Sequence, residues 1–248
     1  MMNNEKKNDG LIIALSIITV WGISLTFLLS LDVWKLPIWL IVPAIFWQMF
    51  LYTGLFVTTH DAIHGVVCPQ NPKINNLVGL LAIFLYGFIS YRKLAKKHNL
   101  HHRYPASEVD PDFCISQSQN PFYWYLNFMK NYWSWEQIIG FTIGFHGVQY
   151  FWGISQQNLI LFWLIPLIFS SIQLFYFGTF LPHKEPEGGY TNPHHARTIA
   201  RSFFLSFITC YHFGYHWEHH ERPDVPWWGL PAIAKHRDDS MSGDIGLV

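Results

Sequence analysis

The sequence predicts an all-α integral membrane protein that carries a histidine-rich site for two metal ions on its cytoplasmic face. Half of its 248 residues are hydrophobic and only 13% are charged, against about a quarter in a typical soluble protein. Several apolar runs approach the roughly 20 residues that an α-helix needs to cross a bilayer. Three groups of histidines at helical spacing follow such runs. These observations predict a single domain, residues 1–248, of about four transmembrane helices with re-entrant or interfacial helices.

The apolar runs predict four transmembrane helices, over residues 11–31, 36–59, 137–152 and 159–181. No small-residue cleavage site follows the first run, so we interpret it as a retained span and not as a secretory signal. Pro37 and Pro43 lie near the start of the second span, where their missing amide donors cost least. The last two spans form a hairpin that returns the chain to the side it left.

The apolar segment over residues 74–91 is barely long enough to cross a bilayer and contains several glycines. If it crossed, His60 and His64 would lie about 30 Å from the histidines that follow the segment. One metal site cannot bridge that distance. We therefore predict a re-entrant or interfacial segment, which a membrane tolerates where protein covers the backbone.

Charge distribution predicts which side of the membrane carries the histidines. Lys plus Arg equals Asp plus Glu at sixteen each, so no basic excess indicates a nucleic acid partner, and the predicted partners are the lipid bilayer and an apolar substrate. The three cysteines are far apart and form no CxxC pair, which argues against a disulfide framework or a thiolate metal site. Basic residues cluster beside the histidines, and the positive-inside rule makes that face cytoplasmic. These residues are Arg92, Lys93, Lys96, Lys97, Arg103, Lys184, Arg197 and Arg201.

Eight of the fourteen histidines fall into three groups, HDAIH, HNLHH and HWEHH. On a helix, positions i, i+3 and i+4 lie on one face, so each group can direct its imidazoles at a common point. One ion takes about four to six ligands, so eight histidines fit two ions. Imidazole suits iron, zinc, copper and nickel, and an apolar substrate favours redox-active iron. The predicted ligands are His60, His64, His98, His101, His102, His216, His219 and His220.

Further residues are candidates for the site or for its support. His183 ends the last predicted span on the same side and is a ninth predicted ligand, with a polar helix end as the alternative. His212 shares a helical arc with the third group and is either a ligand or, as we favour, a residue that holds one by a hydrogen bond. Simple turn chemistry is the alternative for the two aspartates of DPD. The carboxylates predicted to fix imidazole tautomers are Asp61, Asp110, Asp112 and Glu218. We predict solvated loop positions for His194, His195 and His236.

The three histidine groups, in this order and with intervening spans, resemble the histidine boxes of the membrane fatty acid desaturase and hydroxylase superfamily. The stretches around them are similar to the bacterial and cyanobacterial carotenoid 4-ketolases. This similarity covers roughly residues 50 to 235 and includes THDAIHGVV, KKHNLHHRYPASEVDPDF, FYFGTFLPHKEP and SFITCYHFGYHWEHHERPDVPWWGLP. In the resemblance, His183 matches an extra histidine after the last span.

The resemblance implies a non-haem di-iron oxygenase that oxidises carbon 4 of the β-ionone rings of a carotenoid to a ketone. It implies two iron ions, dioxygen as co-substrate and a ferredoxin-type electron donor, with no catalytic protein residue beyond the metal site. It also implies a bacterial or cyanobacterial inner membrane, or a thylakoid membrane. A carotenoid 3-hydroxylase or a lipid desaturase would use the same boxes. A non-catalytic haem electron carrier is a remote alternative, since these groups are not spaced to hold a macrocycle.

Overall fold

The computed structural model describes residues 8–115, 120–199 and 201–243, and within these residues the regular structure is helical. The predicted all-α class is therefore confirmed. Two short 3₁₀ turns, Val33–Lys35 and Trp227–Gly229, accompany the helices. The helices are α1 (Asp9–Ser30), α2 (Ile38–Ile63), α3 (Pro72–Gly87), α4 (Tyr91–Arg103), α5 (Pro121–Tyr132), α6 (Trp135–Trp152), α7 (Gln156–His183), α8 (Phe203–Cys210), α9 (His216–Glu221) and α10 (Leu230–Gly243).

Three helices, α1, α2 and α7, are long and apolar enough to cross a membrane. They coincide with the predicted spans over residues 11–31, 36–59 and 159–181. The second continues four residues beyond its predicted end and so includes His60 within the helix. The first group of histidines thus lies at the end of α2, and His183 is the last residue of α7.

The segment predicted as a span over residues 137–152 differs from the other three. It forms the helix α6, which is not among the helices apolar enough to cross a membrane by composition. The physical reason is its polar content, because Glu136, Gln137, His146 and Gln149 interrupt the apolar residues. Within the described residues α6 buries none of its side chains, so it lies at the periphery of the bundle.

The helices α3 and α4 form a pair bent by 100°. The bend follows Gly87, and Phe88 adopts a left-handed conformation there with φ 54°. Both outer ends of the pair contact the same end of α2. Asn75 near the start of α3 donates to the carbonyl of Ala62 at 2.7 Å, and His98 on α4 lies 2.8 Å from His64. This geometry agrees with a segment that enters and returns on one side.

Close packing holds α3 against α2. A Cβ atom at Gly79 would lie 2.6 Å from the Cβ of Ala62, so only glycine permits the two backbones to approach this closely. The hydroxyl of Thr59 donates to the carbonyl of Gly79 at 3.2 Å. Deeper in the bundle, Tyr52 contacts the rings of Trp21 and Tyr86 edge to face, which joins α1, α2 and α3 in one core.

Two π-helical segments, Ile160–Leu164 and Phe175–Phe180, interrupt the α-helical pattern of α7. Such segments insert an extra residue and are frequent at functional sites. The second one precedes His183, the last residue of α7, and contains Gly178 and Thr179. It therefore sets both the direction of His183 and the wall of the cavity described below.

Candidate metal centre

All nine histidines predicted as ligands lie together in two adjacent clusters at one end of the bundle. Within each cluster the candidate ligand atoms lie within 4.8 Å of one another. The five-histidine cluster consists of His60, His64, His98, His102 and His219. The four-histidine cluster consists of His101, His183, His216 and His220.

The histidine boxes do not each direct their imidazoles at a common point, contrary to the expectation from helical spacing. In HNLHH, His98 and His102 join the five-histidine cluster and His101 joins the other. In HWEHH the assignment is reversed, because His216 and His220 join the four-histidine cluster and His219 crosses to the first. The cause is the angle between successive side chains around the helix axis. On a helix, i and i+4 are about 40° apart, whereas i+3 lies about 60° to the other side.

The separations between imidazole nitrogens match those of ligands on one ion. In the five-histidine cluster the Nε2 atoms of His64 and His98 are 2.8 Å apart, and that of His219 is 2.9 Å from His102 and 3.0 Å from His60. In the other cluster, His220 Nε2 is 3.2 Å from those of His101 and His216. Two nitrogens about 2.1 Å from one ion and about 90° apart are themselves about 3.0 Å apart.

The protonation state of the three histidines in HWEHH also fits metal ligation. Burial, followed by repulsion from neighbouring imidazoles, holds the pKa of His216, His219 and His220 well below the ordinary value. These side chains are therefore neutral near pH 7, and a neutral imidazole has a lone pair for a metal. Buried His183 is a further indication, because among the described residues its Nε2 has no hydrogen-bond partner although it faces three other imidazoles. The residues present thus fit two metal ions.

Three of the predicted supporting carboxylates contact imidazoles. Asp61 Oδ1 lies 3.2 Å from His60 Nδ1. Both carboxylate oxygens of Asp110 lie 3.1 Å from His101 Nδ1. Asp112 is more distant, with its Oδ2 3.8 Å from the same nitrogen. Turn chemistry is also present, because Asp110 accepts from the amides of Ala106 and Asp112. A carboxylate on Nδ1 fixes the tautomer that leaves Nε2 free for a metal.

Among the described residues, Glu218 makes no hydrogen bond to an imidazole, so the prediction that it fixes an imidazole tautomer is wrong. It is fully buried, it accepts from the hydroxyl of Thr198 at 2.6 Å, and it forms an ion pair with Arg237 at 2.6 Å. On the short helix α9 it points away from the neighbouring histidines. Glu218 therefore connects α9 to α10 and to the strand-like segment before α8.

His212 lies outside both clusters. The expectation of one helical arc from His212 to His220 is wrong, because Tyr211 and His212 are left-handed, with φ 45° and 62°, and break the helix between α8 and α9. The buried ring of His212 contacts Phe203 and Trp227 instead. Its Nδ1 has no hydrogen-bond partner within the described residues.

Two histidines predicted as solvated positions support the site. The backbone carbonyl of His195 accepts from His183 Nδ1 at 2.8 Å, and the His195 ring is held by the carbonyl of Pro105 at 3.0 Å. His194 pairs with Glu221 at 2.8 Å. A hydrogen bond to a backbone carbonyl has no side-chain signal in the sequence, so no pattern could have identified His195. His236 is exposed as predicted, but it lies on α10 and not in a loop.

An apolar cavity leads to the histidines. Its inner part, here the inner chamber, is bounded by four histidines of the two clusters, His60, His98, His101 and His216. Its outer part, here the outer cavity, extends between α3, α5 and α6 and is lined by Tyr86, Ile89, Met129, Trp133, Ile138 and Phe141, among others. Five residues line both parts and form a neck between them. They are Phe56, Leu94, Phe128, Tyr132 and Leu174.

Sequence comparisons agree with this arrangement of helices and histidines. The sequence profile of the fatty acid desaturase family matches residues 36–145 and, as a second segment, residues 121–244. The chain belongs to the fatty acid desaturase family. Both matched segments together include every histidine of the two clusters, so the candidate metal centre lies in the part of the chain that matches the family.

Within the fatty acid desaturase family the chain is similar to carotenoid ketolases. It is 38% identical over 237 residues to the zeaxanthin 4-ketolase of Chlamydomonas reinhardtii, covering 90% of this chain and 52% of that protein. It is 39% identical over 188 residues to the beta-carotene ketolase of Paracoccus sp. (strain PC1), covering 75% of this chain and 76% of that protein. It is 41% identical over 194 residues to the beta-carotene 4-ketolase 3 of Haematococcus lacustris, covering 73% of this chain and 58% of that protein.

The lengths of these relatives differ. The chain spans about half of the Chlamydomonas and Haematococcus relatives and about three quarters of the Paracoccus relative.

Proposed function

We propose that this protein is a β-carotene ketolase that introduces a keto group at carbon 4 of the β-ionone rings. β-Carotene would give echinenone and then canthaxanthin, and 3-hydroxylated rings such as those of zeaxanthin would give astaxanthin. The observation that carries the proposal is an apolar cavity that ends at two clusters of buried histidines. Similarity to ketolases over most of the chain supports the choice of a carotenoid over a fatty acid.

The proposed cofactors are two non-haem iron ions, one in each cluster. The close Nε2 separations, the neutral imidazoles and the unpartnered Nε2 of His183 support this assignment. Bound iron would supply the redox chemistry that activates dioxygen for insertion into a C–H bond. The all-nitrogen ligand sets favour iron over magnesium or calcium, which prefer oxygen ligands.

The protein's own residues position the ring and keep water away. The neck is formed by apolar and aromatic side chains, so it admits a hydrocarbon ring and excludes bulk water. In the inner chamber, Phe213 packs against His60 with a 4.7 Å separation of ring centroids and limits how deeply the ring enters. Holding one C–H bond beside the metal centre would lower the activation barrier, because the reacting groups are already positioned when the ring binds.

The net chemistry requires two oxidations at one carbon. Each inserts one atom of O2 into a C4–H bond, while two electrons and two protons from the donor reduce the other oxygen atom to water. The second product carries two hydroxyls on carbon 4 and loses one water to give the ketone. A ferredoxin-type protein is the proposed electron donor.

We propose that the chain crosses the membrane four times, through α1, α2, α6 and α7. Asn158 at the start of α7 donates to the carbonyls of Leu29 and Leu31, the end of α1 that is remote from the histidines. Tyr132 at the end of α5 contacts Asp112 beside the histidines. The two ends of α6 therefore lie near opposite ends of the bundle, which supports a membrane crossing by this helix. The basic residues near the clusters support a cytoplasmic metal centre.

Expression in bacterial cells that make β-carotene tests the proposal. We expect echinenone and canthaxanthin by pigment chromatography, and neither in cells that carry the His101→Ala variant at equal protein level. Rings hydroxylated at carbon 3 would instead indicate a carotenoid hydroxylase. Unchanged pigment together with altered lipid unsaturation would indicate a lipid desaturase. Either result would contradict the ketolase assignment.

A further inference from the structure

The inner chamber contains polar groups that a hydrocarbon ring does not need. Apart from the histidines, its lining is apolar except for Asp112, Tyr132 and Thr179. They come from three different elements, the segment before α5, the end of α5 and the second π-helical segment of α7. Burying polar groups without a use costs free energy, so their convergence on one chamber requires an explanation.

Asp112 is held firmly but keeps an available acceptor. Its amide donates to Asp110 at 2.9 Å, and its carbonyl accepts from Trp124 at 2.6 Å. Its Oδ1 accepts from the hydroxyl of Tyr132. Its Oδ2 lies 3.8 Å from His101 Nδ1, which is beyond hydrogen-bonding distance. Within the described residues, Oδ2 therefore retains capacity to accept a hydrogen bond from a group in the chamber.

Tyr132 lies where an entering ring must pass. It lines the inner chamber and the outer cavity and so belongs to the neck between them. The ammonium of Lys97 lies 4.9 Å from the centre of its ring and helps to fix the side chain. Its phenol oxygen already donates to Asp112, and it retains lone pairs that can accept a second hydrogen bond.

We infer that Asp112 and Tyr132 form a hydroxyl-binding subsite that holds an alcohol on the β-ionone ring. This inference rests on the proposed ketolase function. The alcohol has two possible sources, the carbon 4 hydroxyl left by the first oxidation and the carbon 3 hydroxyl of a ring hydroxylated beforehand. Both present the same chemistry, one hydroxyl on a ring carbon that donates to Asp112 Oδ2, while the phenol of Tyr132 holds the carboxylate through Oδ1.

Such a subsite changes the course of the reaction in a defined way. An unsubstituted ring makes only apolar contacts and gains nothing from the pair, whereas an alcohol gains at least one hydrogen bond in a chamber of low polarity. If the carbon 4 alcohol is bound, it stays for the second oxidation, and the ketone is the main product. If the carbon 3 alcohol is bound, the pair instead favours 3-hydroxylated rings over unsubstituted ones.

The test uses Tyr132→Phe and Asp112→Asn in cells that make either β-carotene or zeaxanthin. The matched control is Tyr125→Phe, which removes a hydroxyl from the same helix but outside the inner chamber, where it contacts Ser171 at 2.7 Å. The readouts are the ratio of 4-hydroxy to 4-keto products and the fraction of rings oxidised. For the control both readouts should equal those of the wild type.

If the carbon 4 alcohol is the ligand, both variants raise the alcohol-to-ketone ratio roughly 10-fold in cells that make β-carotene, because Asp112→Asn removes the charged acceptor and Tyr132→Phe removes the phenol that orients it. If the carbon 3 alcohol is the ligand, the ratio is unchanged there and oxidation of zeaxanthin falls by a similar factor relative to β-carotene. Equal losses in both backgrounds with an unchanged ratio would mean a structural role and overturn the subsite. Absence of ketone from the wild type would instead contradict the ketolase function.

Binding to purified protein provides a second measurement that does not depend on turnover. Calorimetry in detergent would compare 4-hydroxy-β-ionone with β-ionone as soluble ring analogues. We expect Tyr132→Phe to weaken the alcohol roughly 10-fold and to leave the hydrocarbon-like analogue unchanged. Equal affinity changes for both analogues would overturn the inference.

Discussion

The two histidine clusters are built from the same boxes but differ in how they are supported. All members of the four-histidine cluster are buried, whereas three of the five members of the other cluster are partly exposed. In the four-histidine cluster, His101 is held by Asp110 and His183 by the carbonyl of His195. In the five-histidine cluster, His60 faces Asp61. The four-histidine cluster thus has fewer ligands and is more deeply buried, whereas the five-histidine cluster has more ligands and is more accessible to solvent.

The division of each HxxHH box between the two clusters explains why the clusters are adjacent. Each HxxHH box contributes an i, i+4 pair to one cluster and its i+3 member to the other. The rings of His102 and His220, one from each box and each cluster, stack with centroids 4.2 Å apart. Two boxes that exchange one histidine each cannot place their ions far apart. The motif therefore specifies two adjacent sites.

The largest expected effect comes from adjacent histidines that belong to different clusters. His101→Ala leaves three ligands in its cluster, whereas His102→Ala leaves four in the other. Both should lower ketone formation by more than about 100-fold, because removing a ligand costs more than removing a residue that supports one. Metal analysis of purified protein should show a lost ion in His101→Ala and better retention in His102→Ala. Equal metal loss in both would contradict the difference between the clusters.

Removing one supporting carboxylate should affect one cluster at a time. Asp110→Asn and Asp61→Asn keep the size of the side chain but weaken the hydrogen bond that orients His101 or His60. We expect about 10- to 100-fold weaker metal binding in the cluster concerned. Chelator competition on the purified protein measures this loss. Loss of both ions together in either variant would show that the clusters bind metal as one unit.

Glu218→Gln should affect stability and leave metal content unchanged, because Glu218 contacts Thr198 and Arg237. Removing the charge of buried Glu218 weakens its ion pair with the half-buried Arg237 and should cost about 1–3 kcal/mol. The matched control is Glu221→Gln, whose partner His194 lies nearer the surface and for which we expect under about 0.5 kcal/mol. Thermal unfolding in detergent and metal analysis measure the two effects. A lost ion in Glu218→Gln would contradict the account.

The smallest effect concerns the pH dependence of stability. Burial lowers the pKa of His212 from 6.5 to about 4. Between about pH 6.5 and pH 4, His212 is protonated in the unfolded chain but neutral in the folded protein. This residue therefore reduces the stability of the folded state as the pH falls through that range. His212→Asn retains a residue that tolerates the left-handed backbone and lacks that titration. The difference in unfolding midpoint between wild type and variant should therefore shrink between about pH 7 and about pH 5. An unchanged difference would contradict the buried neutral imidazole.

The sequence predicted the helical class, the long apolar helices and the nine clustered histidines, because these depend on composition and on spacing along one helix. It did not predict how the boxes divide between clusters. That division depends on the relative rotation of α4 and α9, which a one-dimensional pattern does not contain. The bend after Phe88 agrees with the expected re-entrant segment, which was inferred from the need to bring His64 and His98 together.

The errors at His212 and Glu218 have different physical origins. The prediction for His212 assumed a continuous helix through the third box, but Tyr211 and His212 take left-handed conformations without a glycine to signal them, and the ring of His212 contacts Phe203 and Trp227. The prediction for Glu218 relied on proximity in sequence to the histidines, whereas its carboxylate contacts Thr198 and Arg237. Likewise, His195 supports His183 through its backbone, which residue type does not reveal.

We propose that the five-histidine and four-histidine clusters each bind one iron ion. Iron analysis and Mössbauer spectroscopy on protein purified under reducing, oxygen-free conditions measure this binding. We expect two iron ions per chain and two distinguishable iron environments, one of which is lost in His101→Ala. A single iron per chain, or zinc in place of iron with ketolase activity retained, would contradict it.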